Sequence, residues 1–297
     1  MIEIFNVLNS NGAPVIAQSK DAPSAYLDTC VLPHIAEHPG RCERFARAVH
    51  EKKGTLVLSM LAIGELANQH QRHADAVADL IDRMLPCVYF LEANLDVVDA
   101  REREFALQKS PNGSPDADDF LLPKIMTMTP ACGGPLPLTF IYRTVSAMNQ
   151  VIGIGDRARA YGQRTLEQLE KQYGKYRDLK EWRAYFHPRE KRVQPRYATR
   201  ALTKTLGKLY LSDTKRKRKG NDGIDLLHAI VPSAYCNFVV LDGPWSLLVK
   251  NATRWIRRAK IQAHVATPFG SGDADLDAFL NAFESFQPIS PAAPRAA

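Results

Sequence analysis

Asp28, Glu65, Asp225 and Asp242 stand at or just beyond the ends of apolar runs far apart in the chain, with Asp222 one helical turn before Asp225. Asp28 ends Ala25-Tyr26-Leu27. Asp242 ends Phe238-Val239-Val240-Leu241. Glu65 lies seven residues beyond Leu56-Val57-Leu58. A carboxylate at the mouth of a strand costs stability unless something pairs with it. Several converging on one point repel each other, and a bound divalent cation removes that conflict. Such a cation also lowers the pKa of a bound water and neutralises phosphate charge, so the chemistry indicated is metal-dependent phosphodiester hydrolysis. Singly, each acid has a plainer use. Asp222, Asp225 and Asp28 suit helix caps, Asp242 suits a turn before Gly243-Pro244, and Glu65 suits a solvated helix face. Their order gives the sharper reading. Each lies beyond the carboxyl end of an expected parallel strand or on the first turns of the next helix, where α/β sheets form sites.

The elements that must position these acids are legible as alternating strand and helix signals. Ile2–Leu8 and Pro14–Ala17, around Asn9-Ser10-Asn11-Gly12, predict a hairpin. Residues 25–29, 55–59 and 88–91 read as buried strands, and the segment from Asn221 to about Val265 resumes the rhythm. Helical spacing runs from His34 to Lys53, broken near Pro39-Gly40. It also follows Ser59, which suits a cap, and covers about 74–85 before Pro86. This alternation predicts a three-layer α/β/α Rossmann-like sandwich with a mainly parallel sheet. Residues 110–139 are Pro- and Gly-rich loop with a short helix at 116–128, and 140–185 are helical and amphipathic. The expected organisation is a hairpin over 1–24, an α/β unit over 25–108 and 221–265, and a helical insertion over 109–220. A C-terminal helix (Asp273 to Phe286) and a disordered tail fill 266–297.

A chain of 297 residues can bury a large core, and 45% hydrophobic with 24% charged residues is ordinary for a soluble globular protein. No apolar run is long enough to span a bilayer, and the N-terminus does not read as a signal peptide. Five cysteines lack zinc-type spacing, and their odd number fits a reducing cytoplasm, with Cys30 and Cys236 as core residues. The charge is uneven. Residues 187–219 hold twelve Lys or Arg against Glu190 and Asp213, a local +10 that leaves −3 for the rest of a +7 chain. Lys215-Arg216-Lys217-Arg218-Lys219 ends just before Asn221, where it can hold phosphates near the acids or form a solvated loop. No phosphate-binding Gly-rich loop and no Gly-x-Ser-x-Gly elbow is present.

The ordered set Leu27-Asp28-Thr29, Ser59 with Glu65-Leu66, Asn221-Asp222-x-x-Asp225, Tyr235-Cys236 and Asp242 resembles the PIN-like nuclease superfamily. The resemblance is to a bacterial branch with an Asn-Asp-x-x-Asp helix and a Tyr/Cys motif. It covers about 25–91 and 221–250, under half of the chain. It implies a Mg²⁺- or Mn²⁺-dependent endoribonuclease that acts on RNA, with DNA possible, as a toxin or as a stress or defence effector. It further implies a possible antitoxin or other protein partner, no membrane, and an oligomeric state left open. Asp28, Glu65, Asp225 and Asp242 match the catalytic acids, and Asp222 joins them as the branch's extra metal-binding acid. Thr29, Asn221, His228 and Asn237 are supporting positions. Two departures from the pattern lower the site's charge and polarity: Asn237 stands where Asp is common, and Val240-Leu241 stand where Thr or Ser precedes the last acid. The alternative is a catalytically weak nucleic-acid-binding or protein-interaction module using the same cleft.

Overall fold

The structure, a computed structural model, describes residues 2–8, 14–66, 71–106, 114–118, 154–173, 198–213, 219 and 221–287. β1 (Ile2–Leu8) and β2 (Pro14–Gln18) form the antiparallel hairpin expected from the sequence. The main sheet is built from β3 (Ser24–Leu27), β4 (Thr55–Ser59), β5 (Val88–Leu91), β6 (Phe238–Val240) and β7 (Thr267–Phe269). Its order is β5-β4-β3-β6-β7, and every pair is parallel. β3 through β6 are buried at every position, as a parallel sheet covered on both faces requires. The sheet therefore runs one strand further than the sequence signals indicate. Thr267-Pro268-Phe269 is too short and too exposed to show a strand pattern.

Ten helices are described. α1 (Leu32–Ala36), α2 (Pro39–Lys52), α3 (Met60–Leu66), α4 (Gln71–Met84) and α5 (Leu95–Ala106) follow β3, β4 and β5. α6 (Ile154–Tyr173), α7 (Ala198–Ser212) and α8 (Asp222–Tyr235) precede β6. α9 (Gly243–Arg258) and α10 (Asp273–Glu284) flank β7. Side chains alternate across the strands with period two. Ala25, Leu27, Leu56, Leu58 and Phe90 face a core closed by α1, α2, α4 and α10. Tyr26, Val57, Tyr89 and Val239 face a second core closed by α5, α7, α8 and α9, with Leu169 of α6 among its buried members. The result is a three-layer α/β/α sandwich. None of the described helices is long and apolar enough to cross a membrane.

Two segments placed outside the α/β unit by sequence reading pack into these cores. α7 contributes Leu202, Leu206 and Tyr210 to the second core, and Tyr210 stacks on Trp245 of α9 with ring centroids 5.6 Å apart. α6 crosses α8 at Gly162 and Gly223. A Cβ on Gly223 would lie 2.3 Å from the Gly162 carbonyl carbon, so the two backbones touch where no side chain fits. Residues 187–197 and 214–218 of the basic segment at 187–219 and the tail beyond 287 lie outside the described residues, as does the short helix expected at 116–128 apart from 116–118. There Leu91 bridges Ala117 in antiparallel fashion.

α10 is held by Phe279 and Phe283, both fully buried, which meet Phe45 and Phe238 edge-on or tilted. Arg41 and Arg44 of α2 bind its acids from outside. Phe279→Ala is therefore expected to lower stability by about 3–5 kcal/mol in urea denaturation. A change within about 0.5 kcal/mol, the scale of surface substitutions, would show that α10 is accessory.

Candidate active site

Strand order reverses between β3 and β6, and open α/β sheets place their sites at the carboxyl edge of such a switch. Two of the acids stand there. The Asp28 backbone N–H donates to the Val240 carbonyl at 2.9 Å, carrying the β3–β6 register one residue past β3. Asp242 follows Leu241 at the end of β6 and caps α9, its Oδ1 accepting from the Trp245 backbone N–H at 2.9 Å. Pro244 suits this cap, because the first turn has no use for its missing N–H. Asp225 comes from the first turn of α8, and its Oδ2 accepts from the Trp245 indole at 3.2 Å. Glu65 comes from α3, whose start is capped by the Ser59 hydroxyl accepting from the Ala62 N–H at 3.0 Å.

A web of contacts ties these elements together. Thr29 donates its backbone N–H to Asp28 Oδ1 at 2.7 Å and its hydroxyl to Glu65 Oε2 at 3.0 Å. His228 Nε2 lies 2.9 Å from the same Glu65 oxygen. Its other ring nitrogen, Nδ1, meets the Tyr26 hydroxyl, so a buried tyrosine in the middle of β3 fixes the ring. His228 stands three residues, one helical turn, beyond Asp225 on α8.

The electrostatics follow from crowding. Burial first, then the charges of Asp28 and Asp242, raise the Asp225 carboxyl to about 7, against opposition from His228 and the Trp245 indole. Partial desolvation and the same three acids push the Cys30 thiol up. Burial alone would raise Glu65, but His228, the Thr29 hydroxyl and the Arg159 charge outweigh it and hold the carboxyl below its usual value. Burial alone would lower His228, but Glu65, Asp28 and Asp225 raise it. The ion pair is therefore favoured from both sides.

The other sequence-derived candidates fall elsewhere. Asp222 is buried, and its Oδ2 accepts from the Tyr210 hydroxyl at 2.8 Å and the Lys219 backbone N–H at 2.7 Å. Asn221 makes no side-chain cap for α8. Asn237 sits at the start of β6, at the sheet's opposite edge, where its Oδ1 accepts from Ser24 N–H at 2.8 Å and the Ser24 hydroxyl at 3.1 Å. Its amide therefore aligns strands and is not brought to the acids. Lys215, Arg216, Lys217 and Arg218 lie outside the described residues, and Lys219 is exposed. Cys236 is buried as expected, whereas Cys30 is exposed with its thiol 3.5 Å from Asp28 Oδ2.

Sequence reasoning missed Trp245, Tyr26 and Arg159. Trp245 had a signal: it stands three residues after Asp242, the spacing of an N-cap contact. Arg159, on α6 and ion-paired with Asp156 at 2.7 Å, had none. A separate cleft of about 540 Å³ opens between α5, α6 and α7, lined among others by Asp99, Arg103, Gln168, Thr199 and Lys204. It shares no lining residue with the acids.

The donor set of Asp28, Asp225, Asp242 and Glu65 offers hard oxygens of the kind Mg²⁺ or Mn²⁺ takes, and the raised Asp225 marks negative charge that a cation would relieve. In this arrangement Glu65 is engaged by His228 and Asp242 by the helix cap. Among the described residues no three His, Cys, Asp or Glu side chains form a group able to hold a metal ion. No protein-family model matches the chain, and no curated protein or solved structure is significantly similar to it.

The pH dependence of Asp225 has a definite sign. Its folded carboxyl titrates at about 7, above the ordinary value near 3.9 in an unfolded chain. Between those values the folded state binds more protons, so this group's contribution to stability falls as pH rises. Asp225→Asn removes the effect. Its melting temperature should match the wild type near pH 4 and exceed it increasingly up to about pH 7. A difference independent of pH would show that Asp225 is not crowded by Asp28 and Asp242.

Proposed function

We propose that the chain is a PIN-like, divalent-cation-dependent nuclease that hydrolyses RNA phosphodiester bonds. The observation that carries this reading is the gathering of Asp28, Glu65, Asp225 and Asp242 from four separate elements at the switch point of a parallel sheet. Stability alone gives no reason to crowd carboxylates at a place where burial raises one of them to about 7. Asp28, Asp225 and Asp242 would hold Mg²⁺ or Mn²⁺, with Glu65 beside them. When bound, such an ion supplies an activated water and neutralises phosphate charge. The protein's own part is positioning. Thr29 and His228 fix the Glu65 carboxylate, Tyr26 fixes His228, and the Trp245 indole orients Asp225.

A second reading has one observation in its favour. Glu65 and Asp242 already have partners within the protein, and no described trio of side chains is arranged for a metal. On that reading the crevice binds nucleic acid or protein without cutting.

Cleavage of labelled single-stranded RNA and DNA with Mn²⁺ or Mg²⁺ separates the two. Asp28→Asn is expected to lower cleavage by about 100-fold or more, the scale on which a single charge-stabilising group acts, and EDTA should abolish it. Undiminished cleavage by Asp28→Asn would remove the acids from the chemistry, and no cleavage by the wild type would leave the binding reading. A second measurement needs no substrate. Mn²⁺ should raise the wild-type melting temperature at pH 8 and leave that of the Asp28→Asn, Asp225→Asn double variant unchanged. An equal rise in both proteins would place the ion elsewhere.

A further inference from the structure

Residues 243–272 contain Lys250, Arg254, Arg257, Arg258 and Lys260 and not one Asp or Glu. The first four fall at i, i+4, i+7 and i+8 of α9, so they share one helical face. The opposite face is spent on the core, where Trp245, Val249, Ala252 and Ile256 are buried. Arg254, Arg257, Arg258 and Lys260 are exposed. Among the described residues, none of these four carries an ion pair; Arg254 reaches only Asn251 Oδ1 at 3.4 Å, and Lys250 lies 3.9 Å from Asp275 Oδ1. Helix stability does not account for the pattern. Lys250 with Arg254, and Arg254 with Arg258, are like-charge neighbours one turn apart, which disfavours the helix. The carbonyl end of the helix dipole welcomes cations only in the last turn, which here holds Arg257 and Arg258. Trp255 sits half-buried beside the stripe, with the Arg258 guanidinium 6.0 Å from its ring centroid.

We propose that this face of α9 binds the backbone of a single-stranded polynucleotide, with the cations on successive phosphates and Trp255 beside a base. Regularly spaced cations without an interleaved carboxylate match a chain that repeats a negative charge at every unit. The half-buried indole beside the stripe favours unpaired bases, whose faces are open to stacking, over a duplex. The surface stands apart from the acidic crevice, since α9 begins at Asp242 and carries the stripe away along its length. Binding here requires no metal and no cleavage, so it holds or fails independently of the nuclease reading.

The test is fluorescence anisotropy with a labelled single-stranded RNA of about 16 nucleotides, in EDTA, across a salt series. The proteins compared are the wild type, the Arg254→Gln, Arg257→Gln, Arg258→Gln triple variant and its Glu counterpart. Each single-strand phosphate contact contributes about −0.7 to the slope of log K against log salt, so the Gln triple variant should flatten that slope by about 2. Its affinity at low salt should fall by about tenfold or more, and that of the Glu variant further. The Gln variant removes charge without adding repulsion, and its melting curve checks that the fold is kept. Unchanged affinity and slope in the Gln variant would overturn the proposal. So would a wild type that binds phosphatidylserine vesicles or duplex RNA more tightly than the single strand.

Discussion

The architecture turns on a concentration of negative charge at the one place in the sheet where the strands part. Asp28 and Asp242 end adjacent strands, and the hydrogen bond from the Asp28 N–H to Val240 prevents them from drifting to separate positions. Asp225 is brought in from α8, in surroundings that raise its carboxyl to about 7. Much of the neighbouring structure can be understood as managing that charge. The α9 dipole receives Asp242, the Trp245 indole receives one Asp225 oxygen, and His228 neutralises Glu65. Each of these contacts lowers the local repulsion without removing the carboxylates from the crevice.

His228 has a second consequence. It is almost wholly buried, and it joins a residue in the middle of β3 to a residue on α3. Tyr26 belongs to the core face that packs against α7, α8 and α9, whereas α3 lies at the sheet's carboxyl edge. The ring therefore couples the packing of one helical layer to the position of an acid at the crevice. A buried polar chain of this kind is rigid only while every member has its partner.

The parts of the fold that were legible in the sequence are those where one physical rule acts alone. The runs at 25–27, 56–58 and 88–91 are apolar because both faces of a parallel sheet are covered, and the hairpin turn carries its own signal. Ser59 could be read as a cap because capping is local. The acids at 28 and 242 stand within two residues of the end of a strand and Glu65 lies on the short helix after β4, whereas Asp225 had only the local signal of an acid in the first turn of a helix. The rest depended on partners far along the chain. β7 is three residues long and becomes a strand only through β6. Asn237 sits near the site in sequence, but the strand between it and Asp242 sends it to the other edge. Asp222 and Asp225 are three residues apart, yet Tyr210 takes one and Trp245 the other. α6 and α7 read as helices of an insertion, and their apolar stripes do not reveal that they pack on α8 and α9 in the second core.

The meeting of Gly162 with Gly223 makes that last point mechanical. Backbone presses on backbone beside the acid-bearing turn of α8, with no intervening side chain to act as a cushion. The rotation of α8 about its own axis, and with it the direction in which Asp225 points, is set by a helix that begins some seventy residues earlier in the chain. A shortened version that joined the two halves of the sheet directly would keep every acid and lose the stop that aims one of them. α6 is therefore a tooling jig for α8 and the acid it carries.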